Sequence, residues 1–467
     1  MSFTDAIRAM VPRSLRKPVR KLYACVPMKK RLGREYGSLK AFLRDAQWWD
    51  RIQIEAWQLQ KLKEVIAYAD KNVPGYYDLY REAGIKPDDI TSIADVGHLP
   101  FTSKELIRDN LKDFTSRAIP SRELHYLTTG GSTGIPFGFY QTRTNLWMEN
   151  AFMHSGWERV GWHVGDSSAV LRGAFVGSGD DLWDDNPASR ELLLSSYYLT
   201  ERTYDRYVGK ILEYRPQHLQ AYPSAAMVLA DLITAAGDVG RIRFEILLLG
   251  SENLYGWQLE KLRRAFTGAR LFSWYGHAEE AVLAPWCETA QQAHAWPFYG
   301  LTEVLGQDNQ PVEKGEIGEI IGTSFWDYGT PFIRYRTMDR AQYGGIGCEQ
   351  CGRQFPILDR LEGRLQEIIV THTGRYISMT AINMHSDLFD NVRQFQFYQD
   401  APGRVVLRLA CKGSYTEQDT AKIMSAIGEK LGTDTELELV FVDQIARTQR
   451  GKYRFLDQKL AIRYGDR

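Results

Sequence analysis

The sequence predicts a large α/β unit followed by a small α+β unit. Three observations carry this. Apolar residues recur at helical spacing through most of residues 36–90, as in WDRIQIEAWQLQKLKEVIAYADKNV. Between 206 and 276, strand and helix patterns alternate, which is the order of a mostly parallel sheet with covering helices. From about Gly315 the chain turns to short strands punctuated by glycine, and it ends in strands arranged around one helix.

Taken in order, the N-terminus MSFTDAIRAMVPRSLRKPVRKLYACVP is basic and lacks the apolar core of a signal peptide. Pro12 and Pro18 interrupt any single helix there, which favours short packed helices with a solvated basic face. A weak contact with an anionic membrane surface is the other reading. REAGIKPDDITSIADVGHLPFTSKELIRDNL alternates turns with short helical pieces, and 145–160 reads as a helix. SSAVLRGAF (167–175) is a strand, and the acidic GSGDDLWDDNPAS after it a loop. RYVGKILEYRPQHLQAYPSAAMVLADLITAAG gives helix, strand, helix; RFEILLLGSENL is a buried strand ending in a Gly-Ser turn. GWQLEKLRRAFT is a helix, and ARLFSWYG a strand ending in glycine. GEIGEIIGTSF, FIRYRTMDR and QEIIVTHTGRYIS form a small β portion. GRVVLRLACKG, TEQDTAKIMSAIGEKLG and TELELVFVD give strand, helix, strand before a basic terminal segment.

At 467 residues the chain can hold several domains, and 44% apolar with 25% charged residues is ordinary for a globular protein. Formal net charge is zero and no basic, aromatic-interleaved stretch occurs, so nucleic acid is excluded as a partner class. No apolar run reaches transmembrane length. Five sparsely spaced cysteines do not make a secreted disulfide framework and fit reducing cytoplasm.

Chemistry gathers in YLTTGGSTGIPFGF, residues 126–139. Successive backbone N–H groups in a glycine-rich turn cradle oxyanions, and Thr128, Thr129, Ser132 and Thr133 add hydroxyl donors. Neither GK[ST] nor GxGxxG is present, and a plain surface turn uses the same residues, so composition leaves both readings open. LLLGSEN and FSWYGHAEE end strands where ligands of α/β sheets sit.

TTGGSTGIP (128–136), YGHAE (275–279), YRTMD (335–339), LEGRLQEII (361–369) and RTQRGK (447–452) stand together in one order. In that order and spacing the chain resembles the ATP-dependent adenylate-forming ligases, and within them the phenylacetate-CoA ligase-like branch that includes CapK-like proteins. The resemblance runs from about residue 90 to the C-terminus. It implies three parts: a helical portion of the large domain (1–90), a nucleotide- and acyl-binding core (91–365), and a small mobile lid domain carrying the catalytic lysine (366–467).

The resemblance also implies roles. Gly130, Gly131 and Gly134 would close the backbone over ATP phosphates, with Thr129, Ser132 and Thr133 as donors and Pro136 stiffening the exit. Tyr275 would stack on adenine beside Gly276, and His277 would line the acyl pocket or the phosphates. Glu279 would hold Mg²⁺, although Glu280 is adjacent; a solvated acidic pair is the plain reading. Ser251 and Glu252 would contact the nucleotide. Asp339 would accept the ribose hydroxyls, with Met338 where the usual motif has glycine, and Arg364 would be the second nucleotide contact. Gln366 and Glu367 fall at the hinge, and Gly374 would face the acceptor tunnel. Lys452 would bridge carboxylate and α-phosphate; a solvated basic tail is the plain reading.

CEQCGR has the spacing of half a structural zinc site and sits in a turn, not at the head of a helix as redox pairs do. Cys287 and His294 would complete a Cys₃His set with Cys348 and Cys351; two exposed thiols and an unrelated Cys287 are the alternative. The activity implied is carboxylate activation as an acyl-adenylate, releasing pyrophosphate, then transfer to coenzyme A. An amine or alcohol acceptor, and a non-catalytic nucleotide-binding homologue, are the alternatives. Tyr222, Pro223, Ser224 and the neighbours of Gly250 and Trp274 are expected to wall the acyl pocket, their aromatic content suiting an aryl or apolar acid. A homodimer remains an open expectation.

Overall fold

The computed structural model describes residues 22, 24–26, 28–129, 137–172, 181–196, 198–364, 368–374, 376–378, 382, 387–389, 391–446 and 454–460. Most of the basic N-terminus therefore lies outside the described residues.

Helix α1 (Met28–Ala46) is kinked at Gly33, whose φ of 88° breaks the helical run. Helix α2 (Arg51–Asn72) opens on a reciprocal cap: Asp50 accepts from the Gln53 N–H, and the Gln53 side chain accepts from the Asp50 N–H. Helix α3 (Pro74–Glu82) starts on proline, which gives up no needed hydrogen bond there. Short 3₁₀ turns at Pro87–Asp89 and Ile93–His98 lead to helix α4 (Lys104–Asp109). The strands β1 (His125–Thr129) and β2 (Phe137–Gln141) pair antiparallel, with Thr129 opposite Phe137. The glycine-rich segment is thus the connection of a hairpin. Phe137 and Phe139 seat β2 in one core with Leu62, Tyr76, Phe332 and Tyr335.

Helix α5 (Arg143–Glu158) precedes the main sheet. That sheet is built from β3 (Ser168–Leu171), β4 (Trp183–Asn186), β5 (Glu191–Leu194), β6 (His218–Ala221), β7 (Ile246–Gly250), β8 (Arg270–Gly276) and β9 (Leu283–Pro285), in the order β4-β5-β3-β6-β7-β8-β9. The inner strands β5, β3, β6, β7 and β8 run parallel; β4 and β9 are antiparallel edges. Helices α6 (Tyr204–Tyr214), α7 (Pro223–Ala235) and α8 (Gly256–Ala265) are the crossovers. β3, β6 and β7 are buried along their whole length, as a sheet covered on both faces requires.

Two expectations change here. GSGDDLWDDNPAS is not all loop, because WDDN forms β4. An edge strand leaves side chains in solvent, so its polar composition hid a strand set by pairing with β5. The antiparallel sheet also begins well before Gly315. It contains β10 (Ala293–His294), β11 (Gly300–Leu305), β12 (Ile317–Ser324), β13 (Tyr335–Ile346) and β14 (Pro356–Arg364), in the order β10-β14-β13-β12-β11.

A ribbon of β15 (Ile368–Val370) and β16 (Tyr376–Ser378) leads to the last sheet. There β17 (Val392–Ala401), β18 (Arg404–Cys411), β19 (Glu436–Phe441) and β20 (Leu456–Gln458) are ordered β19-β18-β17-β20, with helix α9 (Glu417–Leu431) packed on them through Ile423 and Ile427. This C-terminal core reaches the large unit at the start of α8: the Tyr255 and Trp257 rings lie 5.6 and 6.2 Å from Phe455.

Candidate functional site

The carboxyl ends of the parallel strands meet at one edge, and four of them carry a polar or aromatic residue: Arg172 after β3, Tyr222 after β6, Ser251 after β7, Tyr275 near the end of β8. Gly250 has no alternative, since a Cβ there would stand 2.4 Å from the Trp274 indole. Ser251 turns the chain at φ 69°. The Glu252 carboxylate then accepts from the Ser224 N–H at 2.8 Å and its hydroxyl at 3.0 Å, meeting the positive end of α7. Arg172 donates to the Ser251 hydroxyl at 3.3 Å. Sequence reading passed over Arg172; the available signal was a charged residue ending the apolar strand SAVL.

Tyr275 and Asp339, assigned to adenine and ribose, meet directly: the Tyr275 hydroxyl donates to Asp339 Oδ2 at 2.8 Å. Asp339 lies opposite Arg364 in the β13–β14 register, so three of the expected nucleotide residues share one corner. Met338 is held at φ 62°, the left-handed region that explains why glycine suits this position. Its N–H reaches Glu319 Oε1 at 3.2 Å, and the Asp339 N–H reaches the Thr337 hydroxyl at 3.1 Å.

Glu279 and Glu280 part company. Glu279 accepts from the Tyr335 hydroxyl at 3.2 Å and lies 3.3 Å from His277 Nδ1. Glu280, at φ 51°, turns its side chain to Asn145 at 2.9 Å. Burial, then the charges of Glu149 and Asp327, push the Glu280 carboxyl well above the usual carboxylate range. Both glutamates are buried, and neither starts a helix, so the pair is not a solvated cap. Glu279, beside Tyr335 and His277, offers the oxygen donors Mg²⁺ prefers. Gly130, Gly131, Ser132, Thr133, Gly134, Pro136, Gln366, Glu367 and Lys452 lie outside the described residues, and only the backbone of Thr129 and Arg364 is described.

Cys287, His294, Cys348 and Cys351 converge, with their ligand atoms all within 4.8 Å of one another. The pairing of β10 with β14 brings the two halves together, His294 opposite Ile357. The cysteine pair sits in a tight turn closed by the Gly352 N–H to Cys348 O at 2.8 Å, with Gly352 at φ 80°. Edges of a tetrahedral Zn²⁺ site with thiolate and imidazole ligands are about 3.5–3.8 Å, and Cys351 Sγ to His294 Nδ1 is 3.9 Å. Burial and the nearby cations Arg159 and Arg353 push the His294 pKa down to about 4, leaving a neutral, ligating imidazole. Arg159 adds a second observation. Its Nε, Nη1 and Nη2 are buried without hydrogen-bond partners among the described residues, and its guanidinium stacks over Trp296 at 4.4 Å. A buried cation without a partner suits a neighbouring anion, and three thiolates on one Zn²⁺ make one. The residues fit the metal.

A family model, the CapK C-terminal domain, matches residues 369–459. The phenylacetate-coenzyme A ligase of Thermus thermophilus is 26% identical over 331 residues, 68% of this chain and 72% of that protein. Protein CapK of Staphylococcus aureus is 21% identical over 404 residues, 85% of this chain and 88% of CapK. The chain is thus similar in sequence to phenylacetate-CoA ligases and to CapK. Its fold is that of the adenylate-forming ligases: the structure of 2-hydroxyisobutyryl-CoA ligase in its postadenylation state, with R3-HIB-AMP, superposes with TM-score 0.68 at 20% identity, covering 89% of this chain and 93% of that one. The same enzyme in its thioesterification state gives 0.55 at 19% identity, covering 89% and 92%. The corner holding Tyr275, Asp339 and Arg364 lies beside the carboxyl edge of the parallel sheet, where such sheets bind ligands. No helix among the described residues is long and apolar enough to cross a membrane.

Proposed function

We propose that the chain is an ATP-dependent ligase that activates a carboxylic acid as its acyl-adenylate and passes the acyl group to the thiol of coenzyme A. The observation that carries this reading is the Tyr275–Asp339 hydrogen bond opposite Arg364, a nucleotide corner assembled from two sheets in a homologue of named ligases. In the first step a carboxylate oxygen bonds to the α-phosphorus and the bond to pyrophosphate breaks. Asp339 accepts the ribose hydroxyls and Tyr275, fixed by its own hydroxyl, presents its ring to adenine. The glycine-rich connection supplies N–H and hydroxyl donors from Thr129, Ser132 and Thr133 to the phosphate oxygens. Glu279 would hold a Mg²⁺ ion that offsets phosphate charge, and Lys452 would meet the charge that grows between carboxylate and α-phosphate. In the second step the acceptor sulfur bonds to the acyl carbon, AMP leaves, and the thiol proton passes to solvent. Cys287, His294, Cys348 and Cys351 would supply four protein ligands to a zinc ion, whose part would be structural. A chain with free thiols set for a metal suits a reducing compartment.

The family model that matches at the C-terminal end is that of CapK, and this supports an amine or alcohol acceptor as the second reading. Pyrophosphate release against a panel of carboxylic acids, with and without coenzyme A, tests both. Release stimulated by coenzyme A supports the thiol; release stimulated only by amines or alcohols replaces it; none with any acid removes the adenylation reading.

A further inference from the structure

One side chain at the carboxyl edge of the main sheet is used by neither the nucleotide corner nor the metal cluster. Arg172 follows the buried strand β3 and crosses the ends of β6, β7 and β8. Its guanidinium lies 5.8 Å from the Tyr222 ring and 5.8 Å from the Trp274 ring, and it donates to the neutral hydroxyl of Ser251 at 3.3 Å. Among the described residues no carboxylate forms an ion pair with it, and the Glu191 charge acts on it only through space. Burial pulls its pKa below the usual arginine value. Two aromatic faces offset part of the cost of desolvating a cation, and one hydroxyl occupies one of five N–H donors. The rest of that planar fork matches a carboxylate.

We propose that Arg172 is a specificity determinant of the acyl pocket and receives a second carboxylate at the far end of the acid substrate, so that the chain activates a dicarboxylic acid. This rests on the adenylation reading and deepens it. Tyr222 and Trp274 then form the sides of a slot whose end is cationic, which replaces the plain aryl or apolar acid suggested by the count of aromatic residues. An apolar acid would leave the guanidinium in the slot without an anion, so it is selected against as well as not selected for.

The test compares matched acids, succinate with butyrate and terephthalate with benzoate, by pyrophosphate release from the full chain. The wild type should prefer one diacid over its matched monoacid by about tenfold or more in kcat/KM. Arg172→Gln should collapse that ratio by about tenfold or more while the KM for ATP stays within about twofold. Arg172→Lys, which keeps the charge but not the fork, should retain part of the ratio. If Arg172→Gln does not fold, the wild type still decides: the preferred diacid should raise its melting temperature and the monoacid should not. Preference for the monoacids, or equal loss of both classes in Arg172→Gln, overturns the proposal and leaves adenylation standing. A raised KM for ATP in the variant assigns Arg172 to the nucleotide and also overturns it. A wild type that releases no pyrophosphate with any acid removes the adenylation reading, and the proposal with it.

Discussion

Lys452 and Asp327 show how differently single residues enter this molecule. Lys452 is the one lysine in the basic stretch RTQRGK. In the proposed reaction it would meet charge that develops only in the transition state, so Lys452→Ala should lower kcat for adenylation roughly a hundredfold while ATP binding changes little. Near-normal adenylation with the cognate acid would remove the role. Asp327 is fully buried; its Oδ1 accepts from the Gly329 N–H at 2.9 Å, and Oδ2 has no partner among the described residues. Burial raises its pKa to about 8. The folded state therefore keeps a proton from about pH 4 to about pH 8 that the unfolded chain has released. This contribution is present in full below about pH 4 and is lost as pH rises through about 8. Asp327→Asn, which keeps the acceptor, should flatten the fall in urea midpoint between about pH 5 and pH 8, a change on the order of a few kcal/mol. An unchanged slope would mean that Asp327 is ionised throughout. Of the site residues, Tyr275 and Asp339 were legible because each sits in a motif. Arg172 was not, because its meaning comes from Tyr222, Ser251 and Trp274, which only the crossovers bring beside it. The two glutamates could not be told apart in sequence, since a backbone turn at Glu280 sends them to different surroundings.

At the scale of elements, alternating strands and helices in the parallel sheet were readable because burial on both faces leaves continuous apolar runs such as ILLLG. WDDN was unreadable because an edge strand answers to its neighbour and not to its own hydropathy. The cysteine turn between β13 and β14 shows a related limit: CEQCG is local, but its partners on and before β10 are placed by strand pairing. About one zinc per chain is expected in protein purified without chelator, measured by elemental analysis. Cys351→Ser should lose the metal and lower the melting temperature by several degrees, acting on activity through stability. Metal-free protein with every cysteine titratable while folded would contradict the site.

At the scale of the whole molecule, the expected nucleotide residues Asp339 and Arg364 precede residues 366–367, and Lys452 follows them. A single arrangement cannot hold Lys452 at the α-phosphate and also clear a path for the acceptor, so the C-terminal unit should turn about that point. Proline at 366 restricts φ to about −65° and should trap one arrangement. Gln366→Pro is therefore expected to impair one half-reaction about tenfold more than the other, with adenylation followed by pyrophosphate exchange and transfer from pre-formed acyl-adenylate. Equal loss with an intact circular dichroism spectrum would count against a hinge. Turning also has a contact to break, Phe455 against Tyr255 and Trp257. Tyr255 immediately precedes α8 and Trp257 lies in its first turn, a few positions after Ser251 and Glu252, so the seat of the C-terminal unit and the carboxyl edge of the main sheet share one short stretch of chain.

The hairpin stem puts a leash on the glycine-rich connection. Thr129 and Phe137 are paired across β1 and β2, and Phe137 is completely buried. Both ends of the connecting segment are thus moored at one place. A closed span of this length, at about 3.8 Å per residue, can carry its tip no more than about 15 Å from the mooring. Whatever the loop grips must come within that radius, whichever way the loop is folded. If the segment binds ATP as proposed, the reach available to the triphosphate would be set by the two phenylalanines that anchor β2 in the core as well as by the glycines.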